Sequence, residues 1–360
     1  MKAAVLHRAG APLEIQQVDL ADPGPFEVLV KTRFAGICHS DLHYAEGTLK
    51  TPCPCVLGHE SAGVVERVGS AVTHVAAGDH VITCLSVFCG HCRHCLSGFP
   101  NRCGGRATER GKDEAPRLSA GGEPVGQFAH LSSFAEKALV HENAVVKIRK
   151  DMPLDGAALI GCGVTTGVGA VLRTANVEAG SDVAVIGCGG IGLSAINGAA
   201  LASAGRIIAI DTLPSKLELA RKFGATDVID ASKGDVVAQV KKIARGGVDY
   251  SFEAIGLTQT VEQAFNMLRQ GGTATVIGMT PVGAMVKVHG LDLLLEKKLQ
   301  GSNMGSTRFR IDMPRLVDWY MSGKLELDSM ISSRIPLEEI NQGLERLKGG
   351  EVARQLIDFG

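Results

Sequence analysis

Val183-Ala184-Val185-Ile186-Gly187-Cys188-Gly189-Gly190-Ile191-Gly192 is a continuous apolar run that breaks into a glycine loop. An apolar run of this length, without polar alternation, reads as a strand buried on both faces. The loop has the spacing Gly-x-Gly-x-x-Gly, and helical text follows it over 191–203. Asp211 closes the next apolar run, Ile207-Ile208-Ala209-Ile210, 19 positions past Gly192. Strand, loop, helix, strand and acid at that separation make a dinucleotide-binding βαβ unit. Gly187 permits the tight turn. Gly189, with Gly190 beside it, lets the backbone approach a pyrophosphate. Gly192 lets helix and strand pack closely. The free N–H groups at the helix start favour the anion. Asp211 is placed to accept hydrogen bonds from ribose hydroxyls and to repel a 2′-phosphate, which favours NAD over NADP.

Outward from this unit the alternation continues. It predicts helices over 215–223, 236–244 and 260–268, and strands over 228–229, 250–252 and 273–277. Apolar strands alternating with helices predict an α/β, doubly wound parallel sheet, a Rossmann domain over 164–303. The text before it differs. Short strands over 27–32, 62–68 and 80–83 are punctuated by Asp22-Pro23-Gly24-Pro25 and Ala77-Gly78-Asp79, an all-β signature. The tail, with helices over 314–321 and 337–348 and a strand over 355–359, does not continue the βα order. Residues 1–163 and 304–360 are therefore assigned to one discontinuous domain. Within it, residues 104–126 carry Arg106, Arg110, Lys112 and Arg117 among glycine and serine. They read as a long surface loop, either a solvated insert or a rim over a substrate channel.

The 360 residues have a net charge of −1 and are 45% apolar, so no basic footprint for nucleic acid is present. No apolar run reaches membrane length, and the first residues break off too early for a signal-peptide core. Ten cysteines in a chain expected to be cytoplasmic point to metal or catalysis rather than disulfides. No internal repeat is evident among the 45 scattered glycines.

Four of the cysteines, Cys89-x2-Cys92-x2-Cys95-x7-Cys103, lie in one lobe over 84–104. Thiolates at this spacing close a tetrahedron around Zn²⁺ and leave no open position, so the role is structural. An iron–sulfur cluster is the rival. His91 and His94 are extra donors that a four-thiolate shell does not need. A second constellation is dispersed: Gly36-Ile37-Cys38-His39-Ser40-Asp41-Leu42-His43, Leu57-Gly58-His59-Glu60 and Ile160-Gly161-Cys162-Gly163. Taken singly, each of these stretches fits a buried thiol or a core histidine equally well.

Taken with the glycine loop and Thr166-Gly167, these motifs resemble the zinc-containing alcohol dehydrogenases of the medium-chain dehydrogenase/reductase family, across essentially the whole chain. The resemblance implies a GroES-like β catalytic domain beside the Rossmann domain. It implies that Cys38, His59 and Cys162 hold a catalytic zinc, with Glu60 behind it and Asp41 orienting His59. Ser40 and His43 would form a proton relay, and His39 and Arg354 would face the cofactor pyrophosphate. Lys216 would lie near the adenosine ribose, and Ile191 and Thr166 near the nicotinamide. Leu49, Leu85, Phe134 and Met279 match positions that line the substrate pocket, and their apolar character suits hydrophobic alcohols and aldehydes. The family pairs Rossmann sheets edge to edge in homodimers or homotetramers, here between Val286 and Met304.

The implied activity is reversible hydride transfer between NAD and a primary, or secondary, alcohol, with two Zn²⁺ per chain. A thiol-adduct formaldehyde dehydrogenase is the alternative, because the basic insert could receive an anionic thiol such as glutathione or mycothiol. A zinc-ribbon nucleic-acid-binding protein and a zinc-free quinone reductase fit less of the sequence. Cys53, Cys55, Cys84 and Cys188 belong to neither metal set, and Cys188, inside the cofactor loop, is expected to react with thiol reagents.

Overall fold

A computed structural model describes every residue except Gly105, Lys112 and Glu351. The chain forms two compact units. One comprises Met1–Cys162, Arg308–Ser322 and Ile331–Gly360, the other Gly163–Thr307 and Gly323–Met330. The short return Gly323–Met330, expected in the first domain, belongs to the second, where Asn197 donates to the Glu326 carbonyl.

The second unit carries six parallel strands in the order Asp227–Asp230, Arg206–Asp211, Asp182–Ile186, Val248–Glu253, Leu268–Val276, Lys298–Gly301. In chain order this is the 3-2-1-4-5-6 arrangement of a Rossmann fold, and the order reverses at Asp182–Ile186. The glycine loop leaves the carboxyl end of that strand and enters the helix Gly190–Leu201. Ile186, Ile208, Ile210, Val240, Phe265 and Leu268 form the core under the sheet. Their β-branched and aromatic side chains suit a pleated surface covered on both faces.

The first unit is built on a seven-stranded, mostly antiparallel sheet. Its hub is the strand Glu27–Ile37. Ser61–Val68 and Lys137–His141 pair along it, and Arg354–Asp358 pairs at its end through Gln355↔Ile37. The unit is not wholly β as expected. The helix His39–Glu46 follows Glu27–Ile37 directly. Its polar text, His-Ser-Asp-Leu-His-Tyr-Ala-Glu, has almost no apolar face to announce it.

Two further expectations are corrected. Leu154–Ala175 is a helix long and apolar enough to cross a membrane, although no such run stood out in the sequence. Glycines and threonines dilute its hydropathy. Most of it, 83%, is buried inside the protein, and those small residues permit the close packing. A Cβ at Gly161 would come within 2.9 Å of the Thr83 carbonyl, and one at Gly167 within 2.4 Å of the Ile191 carbonyl. The insert over 104–126 is not an open basic loop either. It contains the hairpin Leu118–Ala120 and Glu123–Pro124, which pairs with Asp19–Leu20. Arg110 and Arg117 both close onto the buried Glu27 carboxylate, with Nε–Oε1 distances of 3.0 and 2.6 Å. Lys112 lies outside the described residues.

Candidate functional site

Asp41, in the first turn of His39–Glu46, makes two contacts with one carboxylate. Oδ2 accepts the Cys38 N–H at 3.0 Å, and Oδ1 lies 2.9 Å from His59 Nδ1. The helix start and the imidazole are thus fixed together. With Nδ1–H donated to Asp41, Nε2 keeps its lone pair. His59 follows Gly58, whose φ is +91°. A Cβ there would lie 2.6 Å from the Phe134 nitrogen, so the position needs glycine. Cys162 comes from the π-helical turn Ile160–Val164, a local widening common at functional sites. The donor atoms of Cys38, His59 and Cys162 all lie within 4.8 Å of one another, and all three residues are buried.

The electrostatics of this trio call for a cation. A hydrogen bond from Cys162 outweighs burial and, with the positive charges of Arg354 and His59, holds the Cys38 thiol well below its ordinary range. The same interaction, together with burial, pushes Cys162 up. Burial opposes a charged His59, but the Asp41 carboxylate and Cys38 raise it overall. Three buried, converging donors that cannot all adopt their ligating state unaided fit a divalent metal, and the Cys₂His composition fits zinc. Glu60 sits behind them with no exposed surface, its Oε1 3.9 Å from Arg354 Nε. Gly36 makes room for it, since a Cβ there would lie 2.1 Å from that oxygen. Arg354, expected at a cofactor pyrophosphate, is itself buried and faces Glu60.

The lobe is a second convergence. Sγ–Sγ distances are 3.5 Å for Cys92–Cys95, 3.8 Å for Cys92–Cys103 and 4.0 Å for Cys89–Cys95. A tetrahedron with Zn–S bonds of ~2.3 Å has edges of about 3.8 Å. The backbone N–H groups of His91 and Cys92 hold Cys89 near 6, while burial pushes Cys95 up to about 12. Four adjacent thiols cannot ionise together without a cation among them.

In the second unit each loop glycine has a visible reason. Gly187 has φ +92°, and a Cβ at Gly192 would overlap the Gly187 carbonyl at 1.7 Å. A Cβ at Gly189 would meet nothing within 4 Å, so the space above the backbone is open. The helix Gly190–Leu201 begins without a side-chain cap, leaving its N–H groups to an anion. Asp211 accepts the Cys188 N–H at 2.8 Å with Oδ2 and the Leu213 N–H at 3.1 Å with Oδ1. Ile191 and Lys216 are half-buried, and Thr166 is buried with its hydroxyl on Met304 Sδ.

The other expected residues are scattered. His39 is exposed, and Ser40, His43, Leu49 and Leu85 are half-buried in the first unit. Ser40 Oγ lies 3.9 Å from Cys38 Sγ. Met279 is exposed in the second unit. Phe134 is not a pocket wall. It has no exposed surface, and Gly58 lets its ring pack into the core beside Leu57. Cys188 is not a reactive thiol. It is fully buried, and burial pushes it up to about 12. Glu253 escaped the sequence reading. Buried at the end of Val248–Glu253, its Oε1 accepts the N–H groups of Ile255 and Gly256 and the Thr260 hydroxyl. An acid ending an apolar strand just before a glycine, as in Phe252-Glu253-Ala254-Ile255-Gly256, was the available signal.

Comparison with known proteins adds a consistent set of likenesses. The alcohol dehydrogenase GroES-like domain family matches residues 24–150, and the zinc-binding dehydrogenase family matches residues 190–322. The alcohol dehydrogenase class-3 of Cereibacter sphaeroides is 40% identical over 373 residues, covering 99% of both chains. The S-(hydroxymethyl)glutathione dehydrogenase of Paracoccus denitrificans is 38% identical over 370 residues, again covering 99% of both. The crystal structure of benzyl alcohol dehydrogenase from Acinetobacter calcoaceticus superposes with a TM-score of 0.94 at 34% identity, covering 100% of this chain and 99% of that one.

Proposed function

We propose, from the premise that this chain belongs to the zinc-containing alcohol dehydrogenases of the medium-chain dehydrogenase/reductase family, that it oxidises hydrophobic primary alcohols with NAD and reduces the corresponding aldehydes. The observation that carries the reading is the buried convergence of Cys38, Cys162 and an Asp41-oriented His59. Zinc in a three-ligand site of this kind supplies Lewis acidity that lowers the pKa of an alcohol hydroxyl, and NAD supplies the hydride acceptor.

The chain's own residues handle the proton and the geometry. Ser40, in the first turn of His39–Glu46 and close to Cys38, receives the proton of the alcohol. His43, one turn on and half-buried, returns it to solvent. Asp41 keeps His59 in the ligating tautomer. Asp211 selects NAD by charge. The structural zinc at Cys89, Cys92, Cys95 and Cys103 holds the lobe and takes no part in the chemistry.

The benzyl alcohol dehydrogenase likeness and the apolar Leu49 and Leu85 support a hydrophobic substrate. The Paracoccus relative favours the second reading, a thiol-adduct formaldehyde dehydrogenase. Against it, Arg110 and Arg117 are committed to Glu27, which leaves Arg106 as the free cation among the three described insert cations. All ten cysteines are free of disulfides, which supports a cytoplasmic setting. Exposed Val282, Met285 and Leu294, in the segment that precedes the edge strand Lys298–Gly301, support homo-oligomer formation through this part of the chain.

The test is NADH formation from benzyl and aliphatic alcohols, and from formaldehyde with and without glutathione, alongside metal analysis. Two zincs per chain with thiol-independent oxidation is the expected result. Activity restricted to formaldehyde plus thiol establishes the second reading, and one zinc or none refutes the zinc chemistry.

A further inference from the structure

Residues 128–132 hold a concentration of unusual backbone in the first unit. Ala129, His130 and Ser132 have φ values of +51°, +61° and +57°. None is glycine, so each pays a steric cost that only over-determined surroundings sustain. Those surroundings are legible. The Ser132 hydroxyl accepts the Phe128 N–H at 2.9 Å and donates to the Val56 carbonyl at 2.7 Å. The Ser133 and Phe134 N–H groups donate to Gly58 and Leu57 at 3.0 and 3.1 Å. Gln127, held by Arg117, donates to the Leu139 carbonyl at 2.8 Å. The strained segment is therefore stitched to residues 56–58, which run directly into His59.

The same turn presents Phe128 to the imidazole. The two rings meet edge to face, with centroids 5.9 Å apart and planes at 73°. Tyr44 packs on Phe128 in turn, at 4.6 Å and 64°. Asp41 holds His59 at Nδ1 and the metal would hold it at Nε2, which leaves the ring plane to turn about the line through the two nitrogens. An aromatic ring packed at a steep angle against the imidazole restricts that freedom.

We propose that residues 128–134 form a brace for His59, and that Phe128 is a positioning residue that fixes the imidazole plane at the catalytic metal site. The brace rests on the zinc reading of Cys38, His59 and Cys162. It assigns the backbone strain a purpose, because the turn that carries the strain is the one that carries Phe128.

The experiment compares wild type with Phe128→Leu, which keeps most of the volume, and Phe128→Ala. Release of each zinc to a chelator is followed over time, with the four-cysteine zinc as an internal control of folding. In parallel, cobalt(II) replaces the catalytic metal and its visible spectrum is recorded. The expected result is catalytic-zinc release at least tenfold faster and a shifted cobalt spectrum, with release from the lobe unchanged. Unchanged release and spectrum in folded Phe128→Leu would overturn the brace. So would equal acceleration at both zincs, which would mark a general loss of stability. A wild-type chain holding only the lobe zinc would instead refute the underlying zinc reading, and the brace with it.

Discussion

Asp211 serves two needs at one position. Its charge is the expected barrier to a 2′-phosphate, and its two oxygens also tie down the Cys188 and Leu213 N–H groups. Asp211→Gly removes both functions, whereas Asp211→Asn removes the charge and keeps one acceptor. Both variants should lower the NAD-over-NADP ratio in kcat/KM by about tenfold or more, equivalent to ~1.4 kcal/mol. Asp211→Gly should in addition melt earlier. An unchanged ratio in both variants would remove Asp211 from cofactor selection. Phe134 and Cys188 depart from their expected places for one cause: both have conspicuous side chains whose role depends on burial. Nothing local shows that Gly58 opens a core slot for Phe134, or that Glu60 lies beside Arg354.

At the scale of elements, the insert over 104–126 changes meaning most. It reads as a solvated insert or a basic rim, yet two of its arginines neutralise one buried acid. Burial alone would raise Glu27, but the hydrogen bonds of Arg110, Gly24 and Arg117 hold it near 2, below its ordinary 4.5. A carboxyl depressed in the folded state stabilises the fold above its unfolded pKa. That contribution fades as the pH falls from about 4.5 toward 2. Glu27→Gln should therefore cost roughly 2–3 kcal/mol at neutral pH, more if the stranded guanidinium groups stay buried. Urea unfolding at pH 7 measures the loss, and repeating it in acid should show the gap between variant and wild type narrowing. A gap that stays constant down to the acid limit would contradict the clamp. The helix Leu154–Ala175 has a parallel history. Its apolar text was diluted by small residues, and those residues are what allow it to approach Thr83 and Ile191 so closely.

For the molecule as a whole, the edge strand Lys298–Gly301 leaves one side of a parallel sheet without a partner strand among the described residues. Val282, Met285 and Leu294, in the segment that precedes it, stand 88%, 80% and 77% exposed, apolar side chains that a lone chain does not need at its surface. The double variant Val282→Glu and Leu294→Glu should reduce the mass seen by light scattering, with the zinc content of each chain unchanged. An unaltered mass would move the interface elsewhere.

The glycine loop, its closing acid and the four-cysteine lobe were determined by the sequence itself. Each is a short-range pattern, complete within about two dozen residues, and its chemistry depends on spacing more than on distant neighbours. The dispersed trio Cys38, His59 and Cys162 gained meaning in sequence from a family resemblance, because its members lie too far apart for any local spacing to join them. The tertiary structure alone decided that Arg110 and Arg117 meet at Glu27, and that Phe128 reaches the imidazole. These contacts link residues 69 to 90 positions apart. Whether such side chains meet depends on strand register and turn geometry, which only the folded chain supplies.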